Sequence, residues 1–520
     1  MAKLLAHHEV SLQVDELLEQ VGQYRMSACA YDVAWLARVP RWDTPGALLF
    51  PGAVEWLLAN QHGDGSWGAS IALAHDRVVC TLAAVVALAH LRERDPRVEE
   101  PLRRGASFLR QRQATVDTTN DPVETVGFEL VVPTLLEEAR AFGLRLPTQR
   151  WEYIRRLRAE KLQRLPPGTA YSPGTTLLHS LEHLGTGAVP ALARRAQLPN
   201  GSYGASPSAT AFALTLYDDP AARAYLQQAV ASTTQDGGVC DVFPIDVFEY
   251  AWTLYNFRGL EAQRPELKEH AAALAQLWKP NGVCFTSEWD LTDGDDTAIA
   301  FLVLQRFGHR PDPVVFHLFE IEECFACFAL ERNPSVSTNA HVLEALTACP
   351  QTTAVEQMCH KARTWLLDAQ AGDGFWRDKW HASPYYASCQ AATALASYAP
   401  EALRRTLRWL LDAQHPTGGW GMQDGTSEET AYALETLLAV APWLEGEEQD
   451  RCREAIGNGV DLLQEHLPDG HQPELWVGKA LYTPYTVVQS AILGALCRAL
   501  SYLQGQGARM YDAPTPAIAD

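Results

Sequence analysis

Alternating strand-like patterns are scarce in this 520-residue sequence, and no uninterrupted apolar run reaches the roughly 18 residues that a membrane span needs. The first ten residues, MAKLLAHHEV, contain no apolar run typical of a signal peptide. Positive charge is also in short supply, because 42 Lys and Arg stand against 63 Asp and Glu and give a net charge of -21. This imbalance would repel a nucleic-acid backbone. We therefore expect a cytoplasmic protein of helical structure, with no transmembrane segment and no nucleic-acid partner.

The eleven cysteines lack the spacing of a disulfide framework or of a zinc site. Only Cys324 and Cys327 form a close pair, no second pair follows, and their neighbours are apolar. This pattern favours two core residues over metal ligands and agrees with a reducing compartment. Aromatic residues are plentiful in contrast. The 15 Trp, 17 Tyr and 16 Phe predict either a densely packed core or a pocket lined by ring faces.

A repeated Gln-to-Trp pattern divides the chain. The segments WLLANQ, WLLDAQ and WLLDAQ begin at Trp56, Trp365 and Trp409, and in each a glycine-rich turn and a second Trp follow the Gln. A fainter copy runs from Gln197 to Tyr203. Each copy is typical of a helix end, a turn and an aromatic residue that caps the next element, with Ala- and Leu-rich helical stretches between copies. Units of two helices, with copies in both halves of the chain, predict two α/α barrels.

Three aspartates, Asp293, Asp295 and Asp296, lie in the sequence LTDGDDTAIA, where a glycine-containing loop meets an apolar helix. One aspartate would suffice to cap that helix. Three carboxyl groups within four residues repel one another, so we expect at least one to keep its proton to a higher pH than a free aspartic acid. The arrangement suits a general acid whose neighbours tune and orient it, with helix N-terminal amides near Asp295 adding to the stabilisation of its conjugate base.

The repeats and the Asp-x-Asp-Asp-Thr-Ala sequence together resemble the class II terpene cyclases, the group of squalene-hopene cyclases and class II diterpene cyclases. Collinear segments extend the resemblance over nearly the whole chain, and these are similar to copalyl-type diterpene cyclases: residues 27–35, 126–137, 178–180, 239–246 and 301–320.

The resemblance implies an all-α fold of two α/α barrels, called γ and β. We expect residues 1–45 to form an N-terminal segment of the β domain, residues 46–260 to form the inserted γ domain, and residues 261–520 to form the rest of β with the acidic sequence. The chain has no room for the class I α domain of the bifunctional plant enzymes.

The activity that the resemblance implies is a cyclisation started by a proton. Asp295 would protonate the terminal alkene of geranylgeranyl diphosphate, with Asp293 and Asp296 beside it. The Asp-Asp-x-x-Asp sequence of class I terpene synthases does not occur in the chain, so the product should keep its diphosphate and pass to a separate class I terpene synthase. A copalyl-type product and a rearranged one such as kolavenyl diphosphate both stay open, and so does drimenyl diphosphate made from farnesyl diphosphate.

The resemblance also implies residues around the acid and the terminating base. His341 matches a His that bonds the acid in squalene-hopene cyclases, and it follows Ser337 by four positions, on the same face of a helix. His179 matches a His that holds a proton-accepting water in plant enzymes. The Asn that accompanies it there is replaced by Asp241. Asp241 either raises basicity beside His179 or caps a turn, or else the final proton is lost elsewhere, after hydride and methyl shifts.

Mg²⁺ is the implied cofactor, because family members depend on it and an acidic protein needs a cation to bridge to a phosphate. The candidate ligands in the acidic segment before GFE are Asp121 and Glu124, with Asp117 next, although an ordinary solvated loop is an equal alternative. Lys279 and Lys479 are the candidate cationic residues for the diphosphate.

The cavity is expected between the barrels, with Trp289, Tyr385 and Tyr386 among the aromatic residues that stabilise cations. Two alternatives from other classes stay open. An α/α-barrel glycosidase would use two separated carboxylates and turn over oligosaccharides without Mg²⁺. A non-catalytic helical repeat would show no activity that depends on Asp295.

Overall fold

A computed structural model describes residues 2–112, 123–146, 151–166, 168–233, 236–329, 331–422, 424–467 and 472–505. The α-helices within these residues are α1 (Ala2–Leu18), α2 (Ala30–Leu36), α3 (Pro51–Ala59), α4 (Ala74–Leu91), α5 (Glu99–Arg112), α6 (Phe128–Ala141), α7 (Glu152–Gln163), α8 (Pro190–Ala193), α9 (Pro207–Leu216), α10 (Pro220–Ser232), α11 (Asp246–Asn256), α12 (Glu266–Leu277), α13 (Gly294–Arg306), α14 (Val336–Thr347), α15 (Thr353–Asp368), α16 (Pro384–Leu395), α17 (Pro400–Ala413), α18 (Ser427–Val440), α19 (Gly446–His466) and α20 (Tyr485–Leu503).

Short 3₁₀ segments and one small hairpin complete the described secondary structure. The 3₁₀ segments are Pro96–Val98, Thr169–Tyr171, Thr176–Gly187, Arg194–Ala196, Pro313–Leu318 and Ala441–Trp443. The strands β1 (Trp476–Val477) and β2 (Leu481–Tyr482) pair in antiparallel fashion, with Trp476 opposite Tyr482.

The helices pack as two closed rings with further helices outside each ring. In the first ring, α2, α4, α6, the segment Thr176–Gly187 and α9 contact one another in a circuit, and α3, α5, α7 and α10 lie outside it. In the second ring, α11, α13, α14, α16, α18 and α20 form the circuit, and α12, α15, α17 and α19 lie outside it. Inner and outer layers of this kind define an α/α barrel, so the predicted fold of two α/α barrels is confirmed.

The domain limits that the helix packing indicates differ from those expected from the sequence. The expected limit at residue 46 placed α2 with the second barrel, but α2 contacts α4 and α9 of the first. The expected limit at residue 260 placed α11 with the first barrel, but α11 contacts α13 and α20 of the second, and α1 also packs against α20. We therefore place the first barrel between α2 and α10.

The repeat residues hold the turns that join outer to inner helices. Trp420 is fully buried, and its indole N–H donates to Leu410 O at 2.8 Å. The Gln414 amide donates to Gly418 O at 2.8 Å and to a carbonyl of α19 at 2.9 Å. Gly418 has φ +96°, and an added Cβ would lie 2.5 Å from another α19 carbonyl oxygen, so the turn requires glycine. The same Gln and Trp bonds recur at Gln61 with Trp67 and at Gln370 with Trp376.

Two helices, α4 and α20, are long and apolar enough to cross a membrane when only length and composition are considered. Their apolar windows are 83% and 72% buried inside the protein. Each helix belongs to the inner circuit of a barrel, so its composition is that of a core helix.

The β1–β2 hairpin, which precedes α20, reaches across to the first barrel. The N–H of Val126 donates to Gly478 O in the hairpin turn at 2.7 Å, and the N–H of Leu481 donates to Asp76 Oδ1 of α4 at 2.9 Å. A segment of the second half of the sequence thereby forms part of the surface where the two barrels meet.

Candidate active site

A cavity of about 140 Å³ lies between the barrels. The acidic sequence on α13 contributes to one part of its wall, and His179, Asp241 and the hairpin contribute to another. Most of the wall is apolar, with eight aromatic side chains: Phe248, Trp252, Phe285, Trp289, Phe328, Trp380, Trp476 and Tyr482.

Three aromatic residues were expected to line this cavity. Trp289 lines it, but Tyr385 and Tyr386 do not. Tyr385 stacks on Trp409 with ring centroids 4.8 Å apart, and Tyr386 stacks on His381 at 4.7 Å. Tyr386 also meets Trp476 edge-on at 5.1 Å, so it supports the wall from behind.

Asp293 caps α13. Its Oδ1 accepts the backbone N–H groups of Asp295 at 2.9 Å and Asp296 at 2.7 Å. Those amides are therefore taken by Asp293 and do not serve the Asp295 carboxyl group, contrary to the expectation from the sequence. Burial raises the pKa of Asp293 to about 7, and burial followed by the charge of Asp293 raises the pKa of Asp296. At least one carboxyl group thus keeps its proton, as expected, but burial contributes more than mutual repulsion.

Asp295 makes its side-chain contacts with α14. His341 Nδ1 lies 2.7 Å from Asp295 Oδ1, and the Ser337 hydroxyl oxygen lies 3.4 Å from Asp295 Oδ2. The two partners lie one helical turn apart, which is the arrangement that their spacing predicts. The other ring nitrogen of His341 lies 3.1 Å from Gln390 Oε1.

The electrostatics of His341 depend on burial and on the Asp295 carboxyl group. Burial lowers the pKa of His341. The charge of Asp295 and its hydrogen bond raise the pKa by a larger amount, so the pKa of His341 lies above the ordinary value for histidine. An imidazole N–H that faces a carboxyl group stabilises the carboxylate left after proton transfer. The Asp295–His341 pair therefore has the arrangement of a general acid with a support for its conjugate base.

Asp378 is a further carboxyl group at this site that sequence reasoning missed. Its Oδ2 accepts the Ser337 hydroxyl at 2.8 Å, and its Oδ1 accepts the N–H of Val336 at 2.9 Å. Ser337 thereby bridges Asp295 and Asp378. Asp378 follows a repeat turn between α15 and α16, and no spacing in the sequence links that turn to the start of α14.

His179 lies in the segment Thr176–Gly187 of the first barrel and lines the cavity. Its Nδ1 faces Gly204 O at 2.8 Å, so that nitrogen carries the hydrogen and donates it. Burial, with a smaller effect of Lys479, lowers the pKa of His179 to about 3. The ring is therefore neutral near neutral pH, and its Nε2 is left with a lone pair that can accept a proton.

Asp241 also lines the cavity, but its hydrogen bonds run to the hairpin turn. Its carboxylate accepts the N–H of Lys479 at 3.1 and 3.3 Å and the N–H of Ala480 at 3.3 Å. Burial raises the pKa of Asp241, and Lys479 lowers it in part. These contacts support the turn-capping alternative for Asp241.

The structure contradicts a diphosphate-binding role for Lys479. Its side chain is fully buried, and its ammonium group donates to Glu182 Oε1 at 2.9 Å, His179 O at 2.8 Å, Ser206 Oγ at 2.6 Å and Ser208 Oγ. These four acceptors occupy its three N–H groups.

Lys279 pairs with Asp290 at 2.7 Å and does not occur among the described residues that line the cavity. Neither of the two candidate cations is therefore placed where the cavity could present it to a diphosphate.

Of the candidate metal ligands, Asp117 and Asp121 lie outside the described residues. Glu124 forms an ion pair with Arg332, and burial raises its pKa while Arg332 lowers it. A second ion pair, Lys161 with Glu129 at 2.7 Å, lies close enough for its charges to act on Glu124. The group combines carboxylate oxygens, which Mg²⁺ prefers, with cations that suit a diphosphate, and each carboxylate is paired with one of these cations.

The chain is similar to several known proteins. Residues 324–470 match the family model of the squalene-hopene cyclase C-terminal domain. A type B diterpene cyclase of Mycobacterium tuberculosis is 33% identical over 91% of this chain and 95% of its own. An ent-copalyl diphosphate synthase of a Streptomyces species is 34% identical over 85% of this chain and 87% of its own. The solved structure of ent-copalyl diphosphate synthase from Streptomyces platensis superposes with a TM-score of 0.73 at 29% identity, covering 96% of this chain and 99% of that one.

Proposed function

Because the chain belongs to the family of class II diterpene cyclases and copalyl diphosphate synthases, we propose that it cyclises geranylgeranyl diphosphate to a bicyclic diphosphate, with Asp295 as the proton donor. The observation that supports this most directly is the 2.7 Å contact between Asp295 and His341 at the wall of a largely apolar cavity. The diphosphate stays on the product, which a separate class I terpene synthase would then use.

Protonation of an alkene requires a strong acid in a site that excludes water. Asp295 is 7% exposed, and aromatic side chains form much of the surrounding wall. When its proton moves to the terminal alkene, the negative charge left on Asp295 is stabilised by the N–H of His341. The carbon cation closes two rings while the aromatic faces attract it without reacting as nucleophiles.

Loss of a proton ends the reaction, so the product is an isomer of the substrate. His179 is the base that we propose, directly or through a water molecule, because its Nε2 carries a lone pair and its pKa is low enough to keep the ring neutral. Prompt proton loss near His179 gives a copalyl-type diphosphate. Hydride and methyl shifts before proton loss give a rearranged product such as kolavenyl diphosphate.

Mg²⁺ is the cofactor that we propose for substrate binding, and it would supply positive charge for the diphosphate. Glu124 and Glu129 are the described residues that could hold it, and Asp117 and Asp121 stay predictions. Arg332 and Lys161 provide cations beside these carboxylates, in place of the two lysines expected from the sequence.

The experiment supplies the purified protein with geranylgeranyl diphosphate or farnesyl diphosphate in the presence of Mg²⁺. The product is dephosphorylated and its alcohol is identified by mass spectrometry and NMR. We expect a bicyclic twenty-carbon alcohol from the wild type and none from Asp295→Asn. Asp290→Asn is the matched control, since Asp290 is a surface aspartate in the loop before α13, and it should keep full activity.

Retained turnover in Asp295→Asn, with folding verified by circular dichroism, would refute the assignment of the acid. Conversion of farnesyl diphosphate alone would replace the proposed substrate by the fifteen-carbon one. Hydrolysis of oligosaccharides without Mg²⁺ would favour the glycosidase instead.

A further inference from the structure

Glu428 lies behind the aromatic wall of the cavity, at the start of α18, and is fully buried. One oxygen atom, Oε1, lies at hydrogen-bonding distance from three side chains. His381 Nε2 is 3.1 Å away, Trp476 Nε1 is 3.0 Å away, and the Tyr432 hydroxyl is 3.2 Å away. The proposed catalytic steps use none of these contacts.

All three donors to Glu428 are neutral. His381 Nδ1 accepts the N–H of Ser383 at 3.1 Å, so the hydrogen of the neutral ring is on Nε2 and is donated to Glu428. Indole and phenol groups also donate without positive charge. Glu428 Oε1 therefore accepts three hydrogen bonds from neutral donors and meets no cation among the described residues, while Glu428 Oε2 has no hydrogen-bond partner there.

Trp476 connects this carboxylate to the cavity. Its indole N–H donates to Glu428, while the Trp476 side chain lines the cavity. The ring is held by edge-on contacts with Phe248 at 5.3 Å and with Tyr386 at 5.1 Å. The indole therefore has its polar edge on the anion, and other parts of the ring face the space where a substrate would lie.

A hydrogen bond from an indole N–H to an anion shifts electron density into the ring, because the donor becomes partly negative. A more electron-rich ring attracts a nearby cation more strongly. We propose that Glu428 is a positioning residue that orients the Trp476 indole and strengthens its attraction for the cationic intermediate. The inference rests on the proposed function, because only a reaction that passes through a cation is affected by the charge of Glu428. Binding of a neutral substrate would hardly change.

The test measures binding of two analogues of geranylgeranyl diphosphate by calorimetry. One carries a protonated amine in place of a cationic carbon, and the other is its uncharged carbon isostere. We expect Glu428→Gln to weaken binding of the ammonium analogue about tenfold and to leave binding of the neutral one unchanged. Glu429→Gln is the matched control. Glu429 is the adjacent buried carboxylate, bonds Ser383 and Met422 rather than Trp476, and should not change the ratio of the two affinities.

A double-mutant cycle shows whether the effect passes through the indole. Trp476→Phe keeps an aromatic ring but removes the N–H, so Glu428→Gln should change the ammonium affinity little in that background. An equal loss in both backgrounds would overturn the inference. If Glu428→Gln does not fold, Glu428→Asp is measured instead; its shorter side chain withdraws the carboxyl group from the Trp476 N–H, so it should weaken binding of the ammonium analogue more than that of the neutral one, and an unchanged affinity ratio would overturn the inference.

The outcomes separate this inference from the proposed function. A wild-type protein that prefers the ammonium analogue but does not cyclise geranylgeranyl diphosphate would refute the proposed function alone. Cyclisation by the wild type, together with an unchanged affinity ratio in folded Glu428→Gln, would refute the role of Glu428 alone.

Discussion

Replacement of His341 by phenylalanine removes the hydrogen bond to Asp295 and keeps a ring of similar shape. His341 is almost fully buried and packs edge-on against Trp252, with centroids 5.8 Å apart, and against Tyr255 at 6.1 Å. A phenyl ring can keep these aromatic contacts. The variant therefore tests the N–H group more than the packing.

The expected loss of kcat depends on the stage of the reaction at which the hydrogen bond between His341 and Asp295 is strongest. The bond to His341 strengthens as Asp295 becomes negative, so it stabilises the transition state of proton transfer more than the bound substrate. A hydrogen bond to a charged group contributes about 1.5–3 kcal/mol. At about 1.4 kcal/mol for each factor of ten, kcat for His341→Phe should fall roughly 10- to 150-fold. KM should change little, since His341 contacts the acid and is not among the described residues that line the cavity.

The assay is steady-state conversion of geranylgeranyl diphosphate, with kcat and KM determined separately and folding checked by circular dichroism. His341→Asn should recover part of the lost rate, because its amide keeps one N–H donor. Loss of the Gln390 contact should lower Tm in both variants, so Tm alone does not measure the catalytic effect. An unchanged kcat, or a rise in KM alone, would show that His341 does not support the acid.

Three further predictions concern pH and stability. As pH rises through about 7, Asp293 ionises and places a negative charge beside the one that develops on Asp295 during proton transfer, so kcat should fall; Asp293→Asn should remove this limb from the profile of kcat against pH. Because the folded state holds this proton more tightly than an unfolded chain, the raised pKa should also lower stability as pH rises from 3.8 to about 7, as thermal melts would show. Lys479→Met leaves Glu182 without its cation and should lower the free energy of unfolding by about 3–5 kcal/mol in chemical denaturation, whereas Lys279→Met should leave it nearly unchanged.

The barrels could be predicted because their repeat contacts are local. Trp420 bonds a carbonyl ten residues earlier, and Gln414 bonds one four residues later. Such contacts fix a spacing that can be read directly from the sequence. The domain limits are different, because α2 has seven residues and only its packing against α4 and α9 assigns it to the first barrel.

The acid was predictable for a similar reason. Asp293 caps its own helix, and Ser337 and His341 lie one turn apart on another, so each arrangement has a local spacing. Asp378 and Gln390 reach the same site from different elements. Their contacts with Ser337 and His341 span 41 and 49 residues, and no periodicity connects positions so far apart.

The base side of the cavity depends on even longer connections. These explain why the sequence left two alternatives for Asp241 and predicted the wrong role for Lys479. Asp241 accepts N–H groups of a hairpin turn 238 residues later, and Lys479 in that turn donates to the His179 carbonyl. The same hairpin holds Trp476 in the cavity wall. One short segment therefore sets both the position of the proposed base and the shape of the cation-binding wall. Changes within the hairpin should for that reason alter where the cation loses its proton, and hence the product, more than they alter the initial protonation at Asp295.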